Sequence, residues 1–507
     1  MKKLLLILIL TFIFIALSQA QEVKGDTLSV DGKKILKVWG DHYERGYATG
    51  YFVGDKIKYL SEEYFISSFF MNSPALYNST MTFFQDNFDI EEKYIQEAQG
   101  IIDGMIEAGI DLFDNVLQRD MDADDILMTN ALVDLAAFAD LNEALEFGCS
   151  SISSWNDSTL LDPELNGSLV HTRNMDWTPH PALMENHLLV VQVPSETSEV
   201  KWISFTFPGF FGSLSGINEY GVCGFMNMGN NNTTTNTTDL HPVLLSVRNG
   251  IESYDFNGDY EINAHDVVDA VSENNHLSGS IIHSANDSYA LVIETNNENA
   301  TEVRDDTENT AIPQNHLVAT NHFRKLYSPV YCYRYNNIAD SLNENSNMTI
   351  NRSWEMLAAA AGVSHNLQTI EFIPSLNKIK WSTATIDSAA YLREPTVFSM
   401  EDLFELPTSV EEEYYVKPSI IKSFPNPFFD FVSLSFSLDD PVYVELSIYN
   451  VKGQIIRRLS NENMGIGEHT LFWDGKDKSG DSVVSGIYFY KFITDDVQET
   501  GRLLLVK

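Results

Sequence analysis

The chain has 507 residues, 44% of them hydrophobic, and a net charge of −40. Typical domains run to about 100–200 residues, so we expect two or three domains with sizeable cores. The negative charge would repel phosphate groups, which argues against nucleic acid and anionic membrane surfaces as partners. The three cysteines, Cys149, Cys223 and Cys332, are too few for a disulfide scaffold.

The first twenty residues have the pattern of a secretory signal peptide. Two lysines at positions 2 and 3 precede an apolar run from Leu4 to Leu17, and the small residues Ser18 and Ala20 suit cleavage before Gln21. Later segments lack the roughly 18 consecutive apolar residues of a membrane span, so we expect no transmembrane segment.

Residues 21–148 are predicted to form a helix-rich lobe. Apolar residues recur there at helical spacing, for example at Ile90, Tyr94, Ala98, Ile101 and Met105. After Gly148 the pattern changes to short β-like runs, which predicts a β-rich core over residues 149–400. These runs are Ser150–Trp155, Ser168–His171, His187–Val193, Lys201–Phe207 and Gly221–Met226.

The C-terminal part is predicted to be a separate domain. Residues 401–417 resemble a linker, because Glu411–Glu413 lie between Pro407 and Pro418. Over residues 418–507, alternating apolar positions from Val442 to Ile448 predict a small all-β sandwich.

Two of the cysteines have an ordinary interpretation. Cys223 and Cys332 are expected either to be buried apolar side chains or to form one disulfide with each other. Cys149 differs, because it follows Gly148 where the β-rich region begins.

Three segments hold the candidate chemistry: Gly148–Ser151, His171–Trp177 and Thr320–Phe323. A cysteine at a new amino terminus would combine a thiol of pKa roughly 8.5 with an α-amino group of roughly 7.7–8.0, so the amine can serve as the base for the thiol. Gly148 places little steric bulk at the bond before Cys149 and tolerates a strained turn there.

In this order the segments resemble the cysteine N-terminal-nucleophile hydrolases, the group of penicillin V acylase, bile-salt hydrolase, acid ceramidase and isopenicillin N acyltransferase. The resemblance includes Gly40–Gly50 and Gly216–Gly221 and covers roughly Val38 to Pro395. It implies a four-layer αββα core and self-cleavage before Cys149.

The resemblance also implies roles for individual residues. Cys149 would be the nucleophile, Arg173 would hold its thiolate, and Asp176 would bind the new α-amino group. Asn227 and Asn321 would donate hydrogen bonds to the developing oxyanion.

The sequence departs from the family pattern in the spacing of two candidate residues. The separation of Cys149 from Arg173 is long for the group, and Asp157–Asn166 is interpreted as an extended hairpin loop that accounts for it. Because residues three apart lie on opposite faces of a regular strand, a turn or bulge is expected near Asp176. Arg352 would match a late catalytic arginine of the penicillin V acylase branch.

Residues 255–266 resemble a single dockerin calcium repeat. Oxygen-bearing side chains occupy the first, third, fifth, ninth and twelfth positions, namely Asp255, Asn257, Asp259, Asn263 and Asp266. Tyr260 stands where glycine is usual. The resemblance implies a structural calcium ion that stiffens an insertion, and the alternative is an acidic surface loop that binds no ion.

Residues 418–507 resemble a type IX secretion sorting domain. The matching segments are Phe424–Phe428, Tyr449–Gln454, Trp473–Asp477, Ser485–Tyr488 and Leu503–Lys507. This implies type IX secretion machinery as a partner and a location outside the outer membrane of a Gram-negative bacterium, secreted or surface-attached. The alternative is a generic carbohydrate- or surface-binding β-sandwich.

These features predict a secreted amidase that cleaves a small-molecule N-acyl amide through an acyl-thioester on Cys149, with no catalytic cofactor. The aromatic run at Phe205, Phe207, Phe210 and Phe211 suggests an apolar acyl group. His-Glu-x-x-His and paired Cys-x-x-Cys motifs do not occur, so zinc is not expected. The alternatives are an acyltransferase of the same fold and a non-enzymatic calcium-binding surface adhesin.

Overall fold

The computed structural model describes residues 22–138, 148–229, 236–298, 301–308, 311–360, 366–406 and 422–506, the last with gaps at 427, 430, 439–441, 451 and 495–497. The signal peptide predicted over residues 1–20, and residues 407–417 of the predicted linker, lie outside the described residues. The chain divides after Leu406 into two compact units.

The strands of the first unit are β1 (Gly25–Val30), β2 (Lys33–Gly40), β3 (Phe113–Asp114), β4 (Arg119–Asp120), β5 (Ser150–Ser154), β6 (Val170–Asp176), β7 (Leu188–Pro194), β8 (Trp202–Thr206), β9 (Ser215–Asn218), β10 (Cys223–Met228), β11 (Ser280–Ala285), β12 (Ala290–Thr295), β13 (Thr301–Arg304), β14 (His316–Ala319), β15 (Asn366–Ile373), β16 (Lys378–Thr383) and β17 (Thr396–Ser399).

The α-helices of this unit are α1 (His42–Leu60), α2 (Pro74–Asn87), α3 (Glu92–Glu107), α4 (Ala123–Asn130), α5 (Leu132–Phe138), α6 (Pro181–Met184), α7 (Val243–Glu252), α8 (Ala264–Ser272), α9 (Tyr333–Glu344), α10 (Ile350–Ala360) and α11 (Met400–Phe404). A π-helical segment, Ser61–Phe69, continues α1. No helix in the described part of the chain is long and apolar enough to cross a membrane.

Two large sheets form the centre of this unit. One has the order β1-β2-β7-β8-β9-β10-β11-β12-β13 and the other the order β14-β5-β6-β15-β16-β17. Their facing sides share one apolar core, to which Phe205 and Phe225 contribute from the first sheet and Ile370 and Trp381 from the second. Helices α1, α3, α7 and α8 cover the outer face of the first sheet, and α9 and α10 that of the second. The four-layer αββα arrangement is therefore confirmed.

Burial on both faces explains the composition of the inner strands. In β11, β12 and β15 every residue is buried, because one face of each strand meets the opposite sheet and the other meets helices. A strand buried on both faces shows a continuous apolar run rather than alternation, as in the first four residues of β12, Ala290 to Ile293.

The N-terminal part contributes strands as well as helices. The helical spacing noted in the sequence corresponds to the buried face of α3, with Tyr94, Ala98 and Ile101 fully buried. Strands β1 and β2 extend the larger sheet, and β2 pairs in parallel with β7 so that Lys34 lies opposite Leu188. The N-terminal segment is thus built into the core sheet.

Helices α1 and α3 pack with their backbones in direct contact. A Cβ atom at Gly50 would lie 1.9 Å from the carbonyl oxygen of Ile101, and one at Gly104 would lie 2.0 Å from that of Tyr47. Gly46 and Gly50 of the Gly40–Gly50 motif therefore have a packing role, since only hydrogen fits between the two helices.

A buried network of charges ties these helices to the rest of the unit. His42 contacts Glu97 and Glu199, each at 2.7 Å, while Arg248 contacts Glu97 and Glu252, also at 2.7 Å. Burial lowers the pKa of His42, but its hydrogen bonds to the two glutamates outweigh this and raise the pKa overall. Paired charges of this kind are costly to separate, so the network fixes α1 and α3 against α7.

The three cysteines are free and buried. Cys223 lies in the core between the two sheets, whereas Cys332 lies in the layer of α9 and α10. The alternative of a disulfide between Cys223 and Cys332 is therefore wrong, and the interpretation as buried thiols is confirmed.

The second unit is all β, as expected. Its strands are β18 (Lys422–Phe424), β19 (Val432–Leu438), β20 (Val442–Asn450), β21 (Ile455–Met464), β22 (Gly467–Trp473), β23 (Gly486–Ile493) and β24 (Gln498–Leu505). They form the sheets β18-β19-β22 and β21-β20-β23-β24. Leu434 and Trp473 of the first sheet and Leu446 and Tyr490 of the second share one core, which makes this unit a β-sandwich.

The contact between α1 and α3 predicts the effect of a single added methyl group. Gly50→Ala should lower the free energy of unfolding by about 1–3 kcal/mol or more, because its Cβ would overlap backbone that cannot rotate away. Thermal unfolding of the full chain measures this loss. Asp55→Ala, at an exposed position of the same helix, is the control, and equal melting temperatures for the two variants would contradict the packing role.

Candidate active site

Cys149 lies directly before β5, an inner strand that is paired on both sides. Ser150 lies opposite Asn174 of β6, and Ser151 lies opposite Ala319 of β14. Continuing each register by antiparallel steps brings Cys149 beside β6 on one side and beside Asn321 on the other. The amide N–H of Cys149 donates to Oδ1 of Asn321 at 2.8 Å, which agrees with that register.

Arg173 reaches the thiol from the neighbouring strand. Its Nη2 lies 3.9 Å from Sγ of Cys149 and donates to the carbonyl oxygen of Met226 at 2.5 Å. Its Nη1 donates to Oγ of Ser215 at 2.7 Å. The Arg173 side chain is 1% exposed, so these contacts fix the guanidinium and leave one side facing the sulfur.

Asp176 lies at the end of β6, with its carboxylate buried. Its Oδ1 accepts from Nδ2 of Asn366 at 3.0 Å, and its Oδ2 lies 3.3 Å from Nη1 of Arg334. The strand continues through Asp176, and the expected irregularity lies in the partner strand, where pairing shifts between Asn366 and Gln368. The turn after Asp176 is therefore not needed to bring Arg173 and Asp176 to one site.

Arg334 links the two sides of the site and was not identified from the sequence. Its Nη2 donates to Oδ1 of Asn321 at 2.8 Å while Nη1 contacts Asp176. A Cβ atom at Gly148 would lie 1.8 Å from Nη1 of Arg334, so the guanidinium lies against the backbone just before Cys149. This close approach gives a physical reason for glycine at position 148.

The electrostatic environment of Cys149 is balanced between opposing effects. Burial raises the pKa of its thiol, and the carboxylate of Asp176 raises it further. Arg173 and Arg334 lower it, together with a hydrogen bond from the backbone N–H of Asp176. The thiol is thus held mainly protonated by burial, beside cations that stabilise the thiolate once it forms.

Asn227 lies on β10 between Met226 and Met228, whose backbone carbonyl oxygens accept hydrogen bonds from other residues of the site. The carbonyl oxygen of Met226 accepts from Arg173, and that of Met228 accepts from Nδ2 of Asn321 at 2.8 Å. Asn227 itself is fully buried, and neither atom of its amide has a hydrogen-bond partner among the described residues. A buried amide without hydrogen-bond partners destabilises the folded chain. A polar group of a substrate that forms hydrogen bonds with this amide would therefore gain binding free energy.

Arg352 lies apart from this cluster. It is on α10, and its guanidinium donates to the backbone carbonyl oxygens of Asn347 and, at 2.8 Å, Ser341. Of the six candidate catalytic residues, Arg173, Asp176, Asn227 and Asn321 lie in one cluster with Cys149, and Arg352 does not. Arg334 is the second arginine of this cluster. Arg334 lies in a tyrosine-rich stretch without a motif, so only its position in the fold identifies it.

A small apolar pocket of about 20 Å³ lies beside the site. Its walls include Tyr64, Leu132, Met175, Trp177, Phe207, Phe210 and Leu214. Met175 is the cross-strand neighbour of Cys149 in the β5–β6 register, so the pocket begins next to the thiol. Phe207 and Phe210 of the aromatic run line it, whereas Phe205 lies in the core between the sheets.

The candidate calcium loop precedes α8. Oδ1 of Asp255 and Oδ1 of Asn257 both accept from the amide N–H of Asp259, at 3.0 and 3.1 Å, so two of the expected ligand oxygens converge. Asp266 accepts from the amide N–H of Asn263 at 2.8 Å in the cap of α8. The oxygen donors have the chemical character that calcium prefers.

Position six of this loop has the backbone conformation expected of a calcium loop. Tyr260 has φ of 72°, in the left-handed region that favours glycine, and its side chain is 93% exposed. The departure from glycine is therefore accommodated by pointing the tyrosine into solvent, at some cost in backbone strain.

Comparisons with known proteins give similarities to parts of the chain. A model of the FlgD Ig-like domain matches residues 430–494, within the β-sandwich. No curated protein matches the chain. FlgD from P. aeruginosa is 28% identical over 15% of this chain and 58% of its own, with a TM-score of 0.13.

Two solved hydrolase structures are each similar to about half of the chain. A Caenorhabditis elegans ortholog of N-acylethanolamine-hydrolyzing acid amidase is 18% identical over 49% of this chain and 100% of its own, with a TM-score of 0.34. A mutant of conjugated bile acid hydrolase from Clostridium perfringens is 11% identical over 50% and 93%, with a TM-score of 0.30. These scores are low, so the αββα assignment rests on the sheets and layers of this chain.

The contacts of Cys149 predict how its reactivity depends on pH. Arg173→Met should move the alkylation profile of Cys149 to higher pH, because the cation that lowers the thiol pKa is lost while burial still raises it. Mass spectrometry of the peptide that contains Cys149, after iodoacetamide treatment over a range of pH, measures the profile. Arg352→Met is the control and should leave it unchanged. A profile for Arg173→Met that coincides with that of the unmodified protein would contradict the assigned contact.

Proposed function

We propose that this protein is an amidase that cleaves its own chain before Cys149 and then hydrolyses N-acyl amides through a thioester on that residue. One observation carries the proposal. The backbone nitrogen of Cys149 is held by Asn321, its sulfur lies beside Arg173, and its cross-strand neighbour Met175 lines an apolar pocket.

Self-cleavage would use the groups around Gly148. The Cys149 thiol adds to the carbonyl carbon of Gly148, the C–N bond breaks, and the acyl group moves to sulfur while the nitrogen takes the proton. Water then hydrolyses this thioester and leaves a carboxylate on Gly148 and a free α-amine on Cys149. Arg334 lies against Gly148 and favours negative charge on the carbonyl oxygen as the bond breaks.

The mature residue would then act on substrate. Its α-amine accepts the thiol proton, the thiolate attacks the substrate carbonyl, and the proton passes to the departing amine as the C–N bond breaks. Water enters and releases the acid from the thioester. Asn321 holds the α-amino nitrogen, Arg173 stabilises the thiolate, and the amide of Asn227 donates to the oxyanion.

The direction of the reaction follows from the proposed location. A signal peptide and a sorting domain would send the protein outside the cell, where thioester acyl donors of the cytoplasm are absent. The acyl donor would then be an amide rather than a thioester, and we expect hydrolysis to dominate over acyl transfer. The lining of the pocket, with Met175 and Phe207, favours an apolar acyl group.

Because the proposed mechanism needs both the thiol and a free α-amine on Cys149, it predicts that the active protein is cleaved before this residue. The active protein should consist of two fragments separated between Gly148 and Cys149, and Cys149→Ala should remain one chain without amidase activity. Gel electrophoresis, amino-terminal sequencing and assay with a panel of N-acyl amides test both parts. Cys223→Ala is the matched control and should still cleave. Fully active protein without a Cys149 terminus would refute the proposal.

We also propose that residues 255–266 bind calcium as a structural ion. Calcium bound only by the folded state should raise the melting temperature of the full chain, by mass action. Asp255→Ala combined with Asp259→Ala should abolish the shift, whereas Asp287→Ala, outside the loop, should retain it. A calcium shift that survives in the double variant would place the ion elsewhere.

A further inference from the structure

The apolar pocket beside Cys149 is small for a site that receives an acyl group. Its volume is about 20 Å³. On this scale a cavity of about 10–15 Å³ holds one water molecule, and one of about 150 Å³ binds benzene. With a carbonyl group at Cys149, the pocket has room for about one or two further carbon atoms as long as its walls stay in place.

The walls come from four parts of the chain: the π-helical segment, α5, the end of β6 with α6, and the segment between β8 and β9. Tyr64 of the π-helical segment and Trp177 after β6 are joined by a hydrogen bond from the indole N–H to the hydroxyl oxygen. Both side chains are buried, so this bond fixes two of the aromatic walls against each other.

A tight turn between Phe207 and Phe210 sets the position of two further rings. The amide N–H of Phe210 donates to the carbonyl oxygen of Phe207 at 3.1 Å, so the two residues are the first and fourth of the turn. Pro208 is at the second position, and Gly209 at the third has φ of 91°. Proline fixes its own φ and glycine adopts a positive φ without strain, so the sequence favours this turn over other conformations.

Asn130 of α4 holds the same turn from the other side. Its Nδ2 donates to the carbonyl oxygen of Gly209 at 3.0 Å, and its Oδ1 accepts from the amide N–H groups of Phe211 and Gly212, at 2.9 and 2.8 Å. Asn130 is fully buried. Moving the turn would leave these backbone groups unpaired in the core, which is costly, so the pocket resists enlargement at this wall.

A second cavity lies against the same two rings. Its volume is about 10 Å³, and Phe207 and Phe210 line it as well as the pocket beside Cys149. Its other walls include Ile101 of α3 and Leu188 of β7. The two phenylalanine rings therefore separate two cavities, and a shorter side chain at position 210 would join them.

We propose that Phe207 and Phe210 limit the acyl group of the substrate to about two or three carbon atoms. The inference rests on the proposed amidase function, because it takes the scissile carbonyl to lie at Cys149, beside Met175 of the pocket. The substrate class is then an N-acetyl or N-propanoyl amide, whose methyl or ethyl group fills the pocket. A longer chain would have to displace rings that the turn and Asn130 hold in place.

A series of acyl p-nitroanilides tests this limit in the full-length, processed protein. The acyl groups are acetyl, propanoyl, hexanoyl and dodecanoyl. The acetyl or propanoyl substrate should have the highest kcat/KM, and the value for the hexanoyl substrate should be lower by about tenfold or more, because extra methylene groups overpack a filled pocket. An optimum at the hexanoyl or dodecanoyl substrate would overturn the limit.

Shortening one ring should change this preference. Phe210→Ala should shift the highest kcat/KM toward the hexanoyl substrate, because the pocket and the second cavity then join. Phe210→Leu keeps an apolar side chain, disturbs the core less and should shift the preference in the same direction. Phe404→Ala removes the same ring from the core between the sheets and should keep the preference for short chains. An unchanged preference in both Phe210 variants would contradict the assigned wall.

Acylation by esters separates this inference from the proposed function. The Cys149 thiolate attacks the carbonyl of p-nitrophenyl acetate or p-nitrophenyl hexanoate, the C–O bond breaks, p-nitrophenolate leaves and the acyl group stays on sulfur. Intact-protein mass spectrometry, with Cys149→Ala as the blank, measures each rate relative to that of free glutathione. The acetyl ester should have the higher relative rate, and Phe210→Leu should reduce the difference.

The two assays together assign a failure to one idea or the other. Selective acetylation of Cys149 without turnover of any amide would refute the amidase and leave the limit on the acyl group standing. Amide turnover without selection by chain length would refute the limit and leave the amidase standing. A protein that shows neither acylation nor turnover would refute both.

Discussion

The structure of the candidate site depends on the register of β5 between its two neighbours. With Ser150 opposite Asn174 and Ser151 opposite Ala319, the residue before the strand must lie between β6 and the end of β14. A shift of one residue would turn Cys149 to the other face and separate it from Arg173. The register is fixed because both faces of the strand are buried, against the opposite sheet and against α10.

The larger sheet completes the site from across the interface. Strand β10 supplies the carbonyl oxygens that hold Arg173 and Asn321, and it presents Asn227 between them. Helix α9 supplies Arg334 from the other side. Three layers of the fold therefore meet at Cys149, which explains why a small set of residues, widely separated in sequence, can act as one unit.

The N-terminal segment has a structural role that bears on self-cleavage. Strand β2 pairs with β7, and the charges of His42 and Glu97 are neutralised by residues from beyond Cys149, such as Arg248. Breaking the chain at Gly148 would leave these contacts intact, because none of them passes through the cleaved bond. Separation of the fragments would expose paired charges and a sheet edge, and both are costly.

The sequence by itself determined the order of the elements and the residue types at the site. Gly148-Cys149, the segment with Arg173 and Asp176, and Asn321 could be identified because their order along the chain resembles the cysteine N-terminal-nucleophile hydrolases. The short β-like runs after Gly148 added the expectation that they lie on strands. Arg334 and Arg352 could not be distinguished, since each stands in a helix without a motif and only the packing of α9 against β14 decides which reaches Asp176. The ion pair of His42 with Glu199 was likewise decided by tertiary structure, because the parallel pairing of β2 with β7 joins residues 157 positions apart, which local patterns do not encode.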